Sequence, residues 1–178
     1  NHIQTMKAHM ALGKYNELNK YLGDLDEDLE KVDTRIKTGN VMVDAILNSK
    51  VSLAESRKIN VNVKAQANEK INVSDVDLCV IIGNLIDNAI DACEAIEDID
   101  KRFIRIYIGR LKQQFYISVT NSTAEKERNS TQLFVSKKGG AMHGHGLKRV
   151  DAAVKKYDGY INRQNEPGVF ATEILLQL

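Results

Sequence analysis

Three polar side chains in a largely apolar stretch over residues 76–93 share a helical spacing. Asn84, Asn88 and Asp91 stand at i, i+4 and i+7, a spacing that places them on one stripe of a helix. Amide and carboxylate oxygens are hard ligands that suit Mg²⁺ and its waters. The stripe is therefore either the polar wall of a ligand site or the solvated face of a surface helix.

A glycine-rich turn stands where a loop is expected to pass into a helix, at residues 143–147 with the sequence His-Gly-His-Gly-Leu. Glycines let the backbone approach a ligand closely, and a helix N-terminus offers free N–H groups and a positive dipole end. The turn therefore fits a phosphate cradle, although a purely steric need for glycine also explains it. The two histidines are less suited to a metal site, because no third ligand accompanies them in the sequence.

The segment 122–142 is polar and lacks hydrophobic periodicity. A structureless segment of this length inside a compact domain is expected only where it forms a functional lid. Lys137 and Lys138 precede the glycine-rich turn, where they are either solvated surface residues or placed to reach a polyphosphate. We interpret 123–142 as a mobile lid.

Hydrophobic periodicity predicts the elements that must position these residues. The predicted helices cover 1–12, 14–32, 41–57, 75–96 and 145–157, and the predicted strands cover 59–63, 103–111, 114–121, 159–164 and 169–176. Ser74 and Asp77 predict a capping box at the start of the fourth helix. The element order predicts an α+β fold, with helices on one face of a mixed, mostly antiparallel sheet and a helical hairpin in front of it.

The composition limits the class of protein. The chain has 178 residues, of which 43% are hydrophobic and 28% charged, with a net charge of +1. This excludes a disordered chain, and a nucleic-acid partner is not expected because no polybasic run is present. No stretch is long and apolar enough to span a bilayer, and the chain begins without Met or a signal peptide, so we expect a fragment of a longer protein.

The two cysteines, Cys79 and Cys93, fall on one predicted helix. Fourteen residues of helix separate them by roughly 21 Å, beyond the reach of a disulfide. We interpret both as small buried apolar residues in a reducing compartment.

Together and in this order, the motifs resemble the GHKL ATPase superfamily, which includes histidine kinases and DNA gyrase. Residues 83–93, GNLIDNAIDAC, look like its N box, and residues 144–150, GHGLKRV, match its glycine box GxGLxxV. Residues 119–122 stand where the superfamily has its adenine-reading residue, and 134–138 resemble the segment before the second glycine box. Residues 34–50 are similar to the peptide-quorum-sensing sensor kinases, whose dimerisation hairpin is like that of the sporulation phosphotransferase B.

The resemblance implies a role for each matching position. Asn88 would ligate Mg²⁺, Asn84 would act in catalysis by holding or polarising a water, and Asn121 would read adenine. Lys137 would contact the γ-phosphate. The other implied ATP-binding positions are Asp91, Phe134, Lys138, Gly144, His145, Gly146 and Leu147.

The sequence departs from the family pattern at two places. The usual adenine reader is an Asp followed by x-Gly, whereas residues 121–123 are Asn-Ser-Thr. An Asn carbonyl still accepts from the adenine amino group, and its NH₂ can donate to a ring nitrogen. Asn1 and His2 look like the tail of the subgroup's phosphoacceptor motif His-Asp-x-x-Asn-His, so we expect the acceptor to precede residue 1 and this fragment to bind ATP without phosphorylating itself.

The resemblance implies a two-layer α/β sandwich of the Bergerat type over residues 39–178 and a partial dimerisation region over 1–38. The implied function is ATP-Mg²⁺ binding and γ-phosphoryl transfer to a histidine in a two-component sensor kinase. Its implied partners are a second copy bound through the N-terminal helices and a response regulator. We expect a cytoplasmic domain of a membrane-anchored protein.

Two other functions remain open. One is a different GHKL module, either an anti-sigma-like kinase or an ATPase, although a gyrase-like ATPase would carry Glu where Asn84 stands. The other is a non-catalytic dimerisation or interaction module, against which the intact N box and glycine box argue.

Overall fold

The structure, a computed structural model, describes residues 2–30, 36–67, 71–124 and 145–178. It divides into two compact units, Asn1–Thr34 and Arg35–Leu178. All but two residues of the predicted lid lie outside the described residues. None of the described helices is long and apolar enough to cross a membrane.

The first unit contains two helices, α1 (His2–Ala11) and α2 (Tyr15–Glu30). Gly13 has a φ of +65°, a conformation that glycine adopts at low cost and that commonly ends a helix. Its N–H donates to the carbonyl of Met10 at 3.1 Å, and the next N–H donates to the carbonyl of His9 at 2.9 Å. The predicted break at Gly13 is therefore confirmed.

The second unit contains a sheet of five strands in the order β1-β2-β3-β5-β4. The strands are β1 (Asn60–Ala65), β2 (Phe103–Leu111), β3 (Gln114–Ser122), β4 (Tyr160–Glu166) and β5 (Val169–Gln177). β1 pairs with β2 in parallel, and the other three pairs are antiparallel. The prediction of a mixed, mostly antiparallel sheet is confirmed.

Three helices pack with this sheet: α3 (Val41–Ser56), α4 (Asp75–Glu94) and α5 (His145–Lys156). α4 is central, because it contacts α3, α5, β2 and β3. Phe115, Ile117 and Val119 alternate along β3 as buried residues, so one face of the sheet forms the core with the helices. The predicted α+β fold is confirmed.

Polar side chains of α3 fix the segment of chain that leads into this helix. Asn48 receives a hydrogen bond from the N–H of Ile36 at 3.0 Å and donates to the carbonyl of Ile36 at 2.9 Å. Asp44 accepts from both the N–H and the hydroxyl of Thr38, at 2.7 and 2.5 Å. Residues 36–38 therefore belong structurally with the second unit.

The first turn of α4 is joined to the last turn of α5. Asp77 accepts hydrogen bonds from Ser74 Oγ (2.8 Å), Lys156 Nζ (2.7 Å) and Tyr157 Oη (2.5 Å). The Ser74 N–H donates to Tyr157 Oη at 3.2 Å, whereas in a capping box it would donate to residue 77. The predicted Ser74 cap is present, but the Asp77 carboxylate accepts hydrogen bonds from the end of α5 and not from the Ser74 N–H.

Candidate functional site

The polar stripe of α4 lies on a helix of which one side is buried, although Val76 in its first turn is 71% exposed. Asn84 and Asn88 are half-buried, and Asp91 is exposed. Asn84 Nδ2 donates to the carbonyl of Val80, one turn earlier, at 2.6 Å. This bond fixes the orientation of the carboxamide, so that Oδ1 faces away from the helix backbone.

Asn88 is the least satisfied residue of the stripe. Its Nδ2 is buried and has no hydrogen-bond partner among the described residues. An unsatisfied buried polar group costs about 1–3 kcal/mol, so such groups call for a ligand, an ion or a bound water. The unsatisfied atom is a donor, so an acceptor such as a phosphate or water oxygen would complete it, and the acceptor Oδ1 of the same carboxamide is the atom that suits Mg²⁺.

The start of α5 lies directly against the polar stripe. A Cβ built on Gly146 would stand 2.9 Å from Asn84 Oδ1, closer than real Cβ contacts. Because Asn84 is held by its bond to Val80, it has little room to give way. Gly146 therefore allows the first turn of α5 to approach α4, as the predicted phosphate cradle requires.

Asn121 lies near the end of β3 and is 3% exposed. It follows Phe115, Ile117 and Val119 on the face that packs against the helices. Its Nδ2 donates to the carbonyl of Ser122 at 2.9 Å. Sequence reasoning expected this NH₂ group to be available for a ring nitrogen of adenine; in the structure one of its two hydrogens is already donated to the backbone.

A buried cluster that sequence reasoning missed surrounds this carbonyl. Cys93 Sγ lies 3.3 Å from the carbonyl of Phe103, 3.6 Å from that of Ser122 and 3.4 Å from Ser122 Oγ. Ser122 Oγ accepts the Phe103 N–H at 3.0 Å. Burial raises the pKa of the Cys93 thiol, which keeps it a hydrogen-bond donor at neutral pH. Both cysteines are free, as predicted, although Cys79 is only half-buried.

Thr172 is a second residue that the sequence analysis did not single out. It is 2% exposed and pairs with Val119 in the sheet, so it lies on the same face as Asn121. The signal in the sequence was a hydroxyl at an inward position of β5, two residues before the buried Ile174. It adds a polar group to the sheet side of the site.

Two contacts position α4 on different sides. Asn84, on the stripe, meets Gly146, whereas Cys93, on the buried side of the same helix, meets Ser122. The stripe continues along α4, where the helix rise places Asn84 and Asp91 roughly 10 Å apart. The part of the stripe beside α5 suits a ligand with a phosphate group at the first turn of that helix.

The structure describes only some of the remaining predicted site residues. Leu147 is half-buried in the first turn of α5, and His145 begins that helix. Phe134, Lys137, Lys138 and Gly144 lie outside the described residues.

Comparisons with known proteins show the family and the fold of the chain. A curated relative is a probable C4-dicarboxylate sensor kinase of Halalkalibacterium halodurans, 27% identical over 97% of this chain. The chain spans only about a third (34%) of the length of that relative.

Solved histidine kinase structures share the fold at low sequence identity. The catalytic domain of histidine kinase ThkA matches with a TM-score of 0.55 and 16% identity, over 74% of this chain and 90% of that one. The histidine kinase domain of a blue-light-activated kinase from Erythrobacter litoralis matches with a TM-score of 0.57 and 14% identity, over 83% and 64%. Histidine kinase AdeS of Acinetobacter baumannii matches with a TM-score of 0.54 and 15% identity, over 93% and 81%.

A family model described as the GHKL domain matches residues 73–177. This match runs from the residue before the N-cap of α4 to the end of β5, and so includes the polar stripe, Asn121 and α5. Because it covers more than half of the chain, the chain belongs to the GHKL family.

Proposed function

We propose that this chain is the ATP-binding catalytic domain of a sensor histidine kinase, which transfers the γ-phosphoryl group of ATP to a histidine. The observation that carries the proposal is the buried amide nitrogen of Asn88, unpartnered among the described residues, on a stripe that the first turn of α5 approaches closely at Gly146. Membership of the GHKL family and the shared fold with histidine kinase catalytic domains support it.

Asn88, the start of α5 and Asn121 have distinct parts in this proposal. Asn88 would hold Mg²⁺, which neutralises the phosphate charge when bound. The backbone N–H groups at the start of α5 bind the phosphate oxygens, and Gly146 keeps that turn close to α4. Asn121 accepts a hydrogen bond from the base.

Phosphoryl transfer to an acceptor residue fits the site better than hydrolysis. Asn84 occupies the place where a carboxylate would have to activate water, and a carboxamide has no basic lone pair for that task. Its amide is also committed to the Val80 carbonyl. The site therefore binds and orients ATP, and the nucleophile has to come from outside the stripe.

Residues 1–38 would then include part of a dimerisation region, and residues 39–178 would act as the catalytic domain, to whose helix α3 residues 36–38 are hydrogen-bonded. Met10, Leu12 and Tyr15 are apolar or aromatic, and more than half of each side chain is exposed. Exposed apolar side chains on a helical hairpin fit association with a second copy. In the whole protein a response regulator would receive the phosphoryl group, and a membrane anchor would connect the kinase to its signal.

Histidine phosphorylation in trans tests the proposal. The chain is mixed with γ-³²P-ATP, Mg²⁺ and a separately produced dimerisation hairpin that carries the motif His-Asp-x-x-Asn-His. We expect label on the hairpin that is lost in acid and kept in alkali, and that disappears with Asn88→Ala. Steady release of inorganic phosphate without labelled hairpin would instead identify an ATPase.

A further inference from the structure

Two ion pairs join α3 to α4. Lys50 Nζ lies 2.5 Å from Asp87 Oδ1, and Arg57 pairs with Glu94 further along the same two helices. In both pairs the α4 residue stands 37 positions after its α3 partner. The two helices therefore run in the same direction and in register, and the two ion pairs occupy equivalent places on them.

The stripe of α4 that faces α3 borders the polar stripe of the proposed site. At about 100° per residue, it lies roughly 90° around the helix from Asn84, Asn88 and Asp91. Asp87 follows Asn84 by three residues and precedes Asp91 by four, and residues at these spacings have Cβ atoms roughly 5–6 Å apart. The Asp87 carboxylate therefore stands beside the site, whereas Glu94 lies roughly 15 Å along the helix axis from Asn84.

The pair of Lys50 with Asp87 contributes little to stability. The two side chains are 23% and 50% exposed, and ion pairs in such positions are screened by solvent. A bare carboxylate at Asp87 would act instead on what binds the stripe, because it repels phosphate oxygens and offers Mg²⁺ a ligand outside the ATP complex. The contact with Lys50 turns this carboxylate towards α3 and cancels its charge.

We infer that Lys50 is a positioning residue of the nucleotide site, which holds the Asp87 carboxylate on the α3 side of α4 and cancels its charge beside the polyphosphate. Lys50 acts through Asp87 and not by contact with the nucleotide. The inference rests on the proposed function, because it requires phosphate groups at the first turn of α5. Its signature is a loss of affinity that grows with the negative charge of the ligand when Lys50 is removed.

Three ligands of graded charge test the inference: ATP, ADP and adenosine. Their dissociation constants for the whole chain are measured with Mg²⁺ at low ionic strength. In Lys50→Met, ATP should bind roughly threefold to tenfold more weakly than in wild type, ADP should lose less, and adenosine should keep its affinity. A loss of equal size for all three ligands would show that Lys50 only supports the fold, and would overturn the inference.

A second substitution separates the lysine from the carboxylate. Asp87→Asn removes the charge that Lys50 cancels, so the double variant of Lys50→Met with Asp87→Asn should recover the wild-type affinity for ATP. If the double variant binds ATP as weakly as Lys50→Met alone, Lys50 acts on the nucleotide without Asp87 and the inference is wrong.

The pair of Arg57 with Glu94 supplies the matched control. Arg57→Met breaks the equivalent ion pair on the same two helices, but the carboxylate that it leaves is remote from the phosphate end of the stripe. We expect the ratio of ATP affinity to adenosine affinity to stay at the wild-type value in Arg57→Met. An equal change of this ratio in Arg57→Met and Lys50→Met would contradict a specific role of Lys50.

The wild-type chain distinguishes the failure of this inference from that of the proposed function. Unchanged ATP affinity in Lys50→Met, beside a wild type that binds ATP, would remove the inference alone. A wild-type chain that binds no ATP would remove the proposed function and the role of Lys50 with it.

Discussion

The position of Asn88 lowers the stability of the fold, because its buried amide has no partner in the described part of the chain, and residues that bind ligands often show this pattern. Its buried amide nitrogen lacks a partner among the described residues, while the surrounding α4 positions, such as Leu85 and Ala89, are buried and apolar. A residue kept in such surroundings without a structural partner indicates a role in the bound state.

Asn88→Ala should separate binding from folding. Removal of the unsatisfied amide should leave the free energy of unfolding unchanged or raise it by up to about 1 kcal/mol, because no described hydrogen bond is lost. Mg-ATP binding should weaken by roughly tenfold or more, which corresponds to about 1.4 kcal/mol. Denaturant unfolding and Mg-ATP titration measure the two effects, with the exposed Asn60→Ala as control. Wild-type Mg-ATP affinity in a folded Asn88→Ala variant would exclude the assignment.

Two helical glycines offer a matched pair for the contact between α4 and α5. A Cβ on Gly146 would lie 2.9 Å from Asn84 Oδ1, whereas a Cβ on Gly83 would meet Ile46 at an ordinary 3.5 Å. Both changes to Ala raise helix propensity by roughly 0.5–1 kcal/mol. Gly83→Ala should therefore keep nucleotide affinity, and Gly146→Ala should lower it several-fold. Equal affinities in the two variants would show that the close contact does not serve binding.

Among the elements, the pairing of α4 with α5 is decisive for the site. Asp77, Tyr157 and Lys156 join the two helices at the ends remote from Gly146. The hydrogen bonds from Lys156, Tyr157 and Ser74, in that order of effect, lower the pKa of Asp77 from 3.8 to about 2. The hydrogen bonds that join α4 to α5 at Asp77 therefore depend on the ionised carboxylate.

Acid should remove the stabilisation that the Asp77 carboxylate provides, over a defined range of pH. A carboxyl group whose pKa is lower in the folded state stabilises the fold above its unfolded pKa, and this contribution disappears as pH falls through the folded pKa. The Tm difference between wild type and Asp77→Asn should be constant above about pH 5 and shrink between about pH 4 and pH 2. Thermal unfolding from pH 7 to pH 2 measures it, with the exposed Asp75→Asn as control. A difference that persists undiminished at pH 2 would contradict the role of the carboxylate.

The helices and strands could be predicted from the sequence because their hydrophobic periodicity is strong. The predicted helix over 145–157 and the hairpin around residues 166–168 agree with α5, β4 and β5 to within two residues. The tie at Asp77 could not be predicted, since residues 74 and 157 are distant in the chain and their contact depends on how α5 packs. The same holds for Cys93 beside Ser122, where a cysteine on an apolar helix gave no sign of a polar partner.

At the scale of the whole molecule, the buried core belongs to one unit. Its buried residues begin at Val43 and end at Leu176, with the partly buried Ile36 and Leu178 packed at its edges. A fragment of residues 35–178 should therefore unfold cooperatively and bind Mg-ATP within about twofold of the full chain, because it keeps every described residue of the core. Circular dichroism melting and nucleotide titration of both chains check this. A fragment that is unfolded, or that has lost nucleotide affinity, would show that residues 1–34 are needed for the site.

Nucleotide binding by the whole chain tests the central claim most directly. Calorimetric titration with a non-hydrolysable ATP analogue, with and without Mg²⁺, and with the matching GTP analogue measures stoichiometry, metal dependence and base selectivity together. We predict one site per chain, tighter binding with Mg²⁺ and at least roughly tenfold weaker binding of the GTP analogue, which corresponds to the loss of one hydrogen bond. The absence of saturable binding, or equal binding of both analogues whether or not Mg²⁺ is present, would contradict the account.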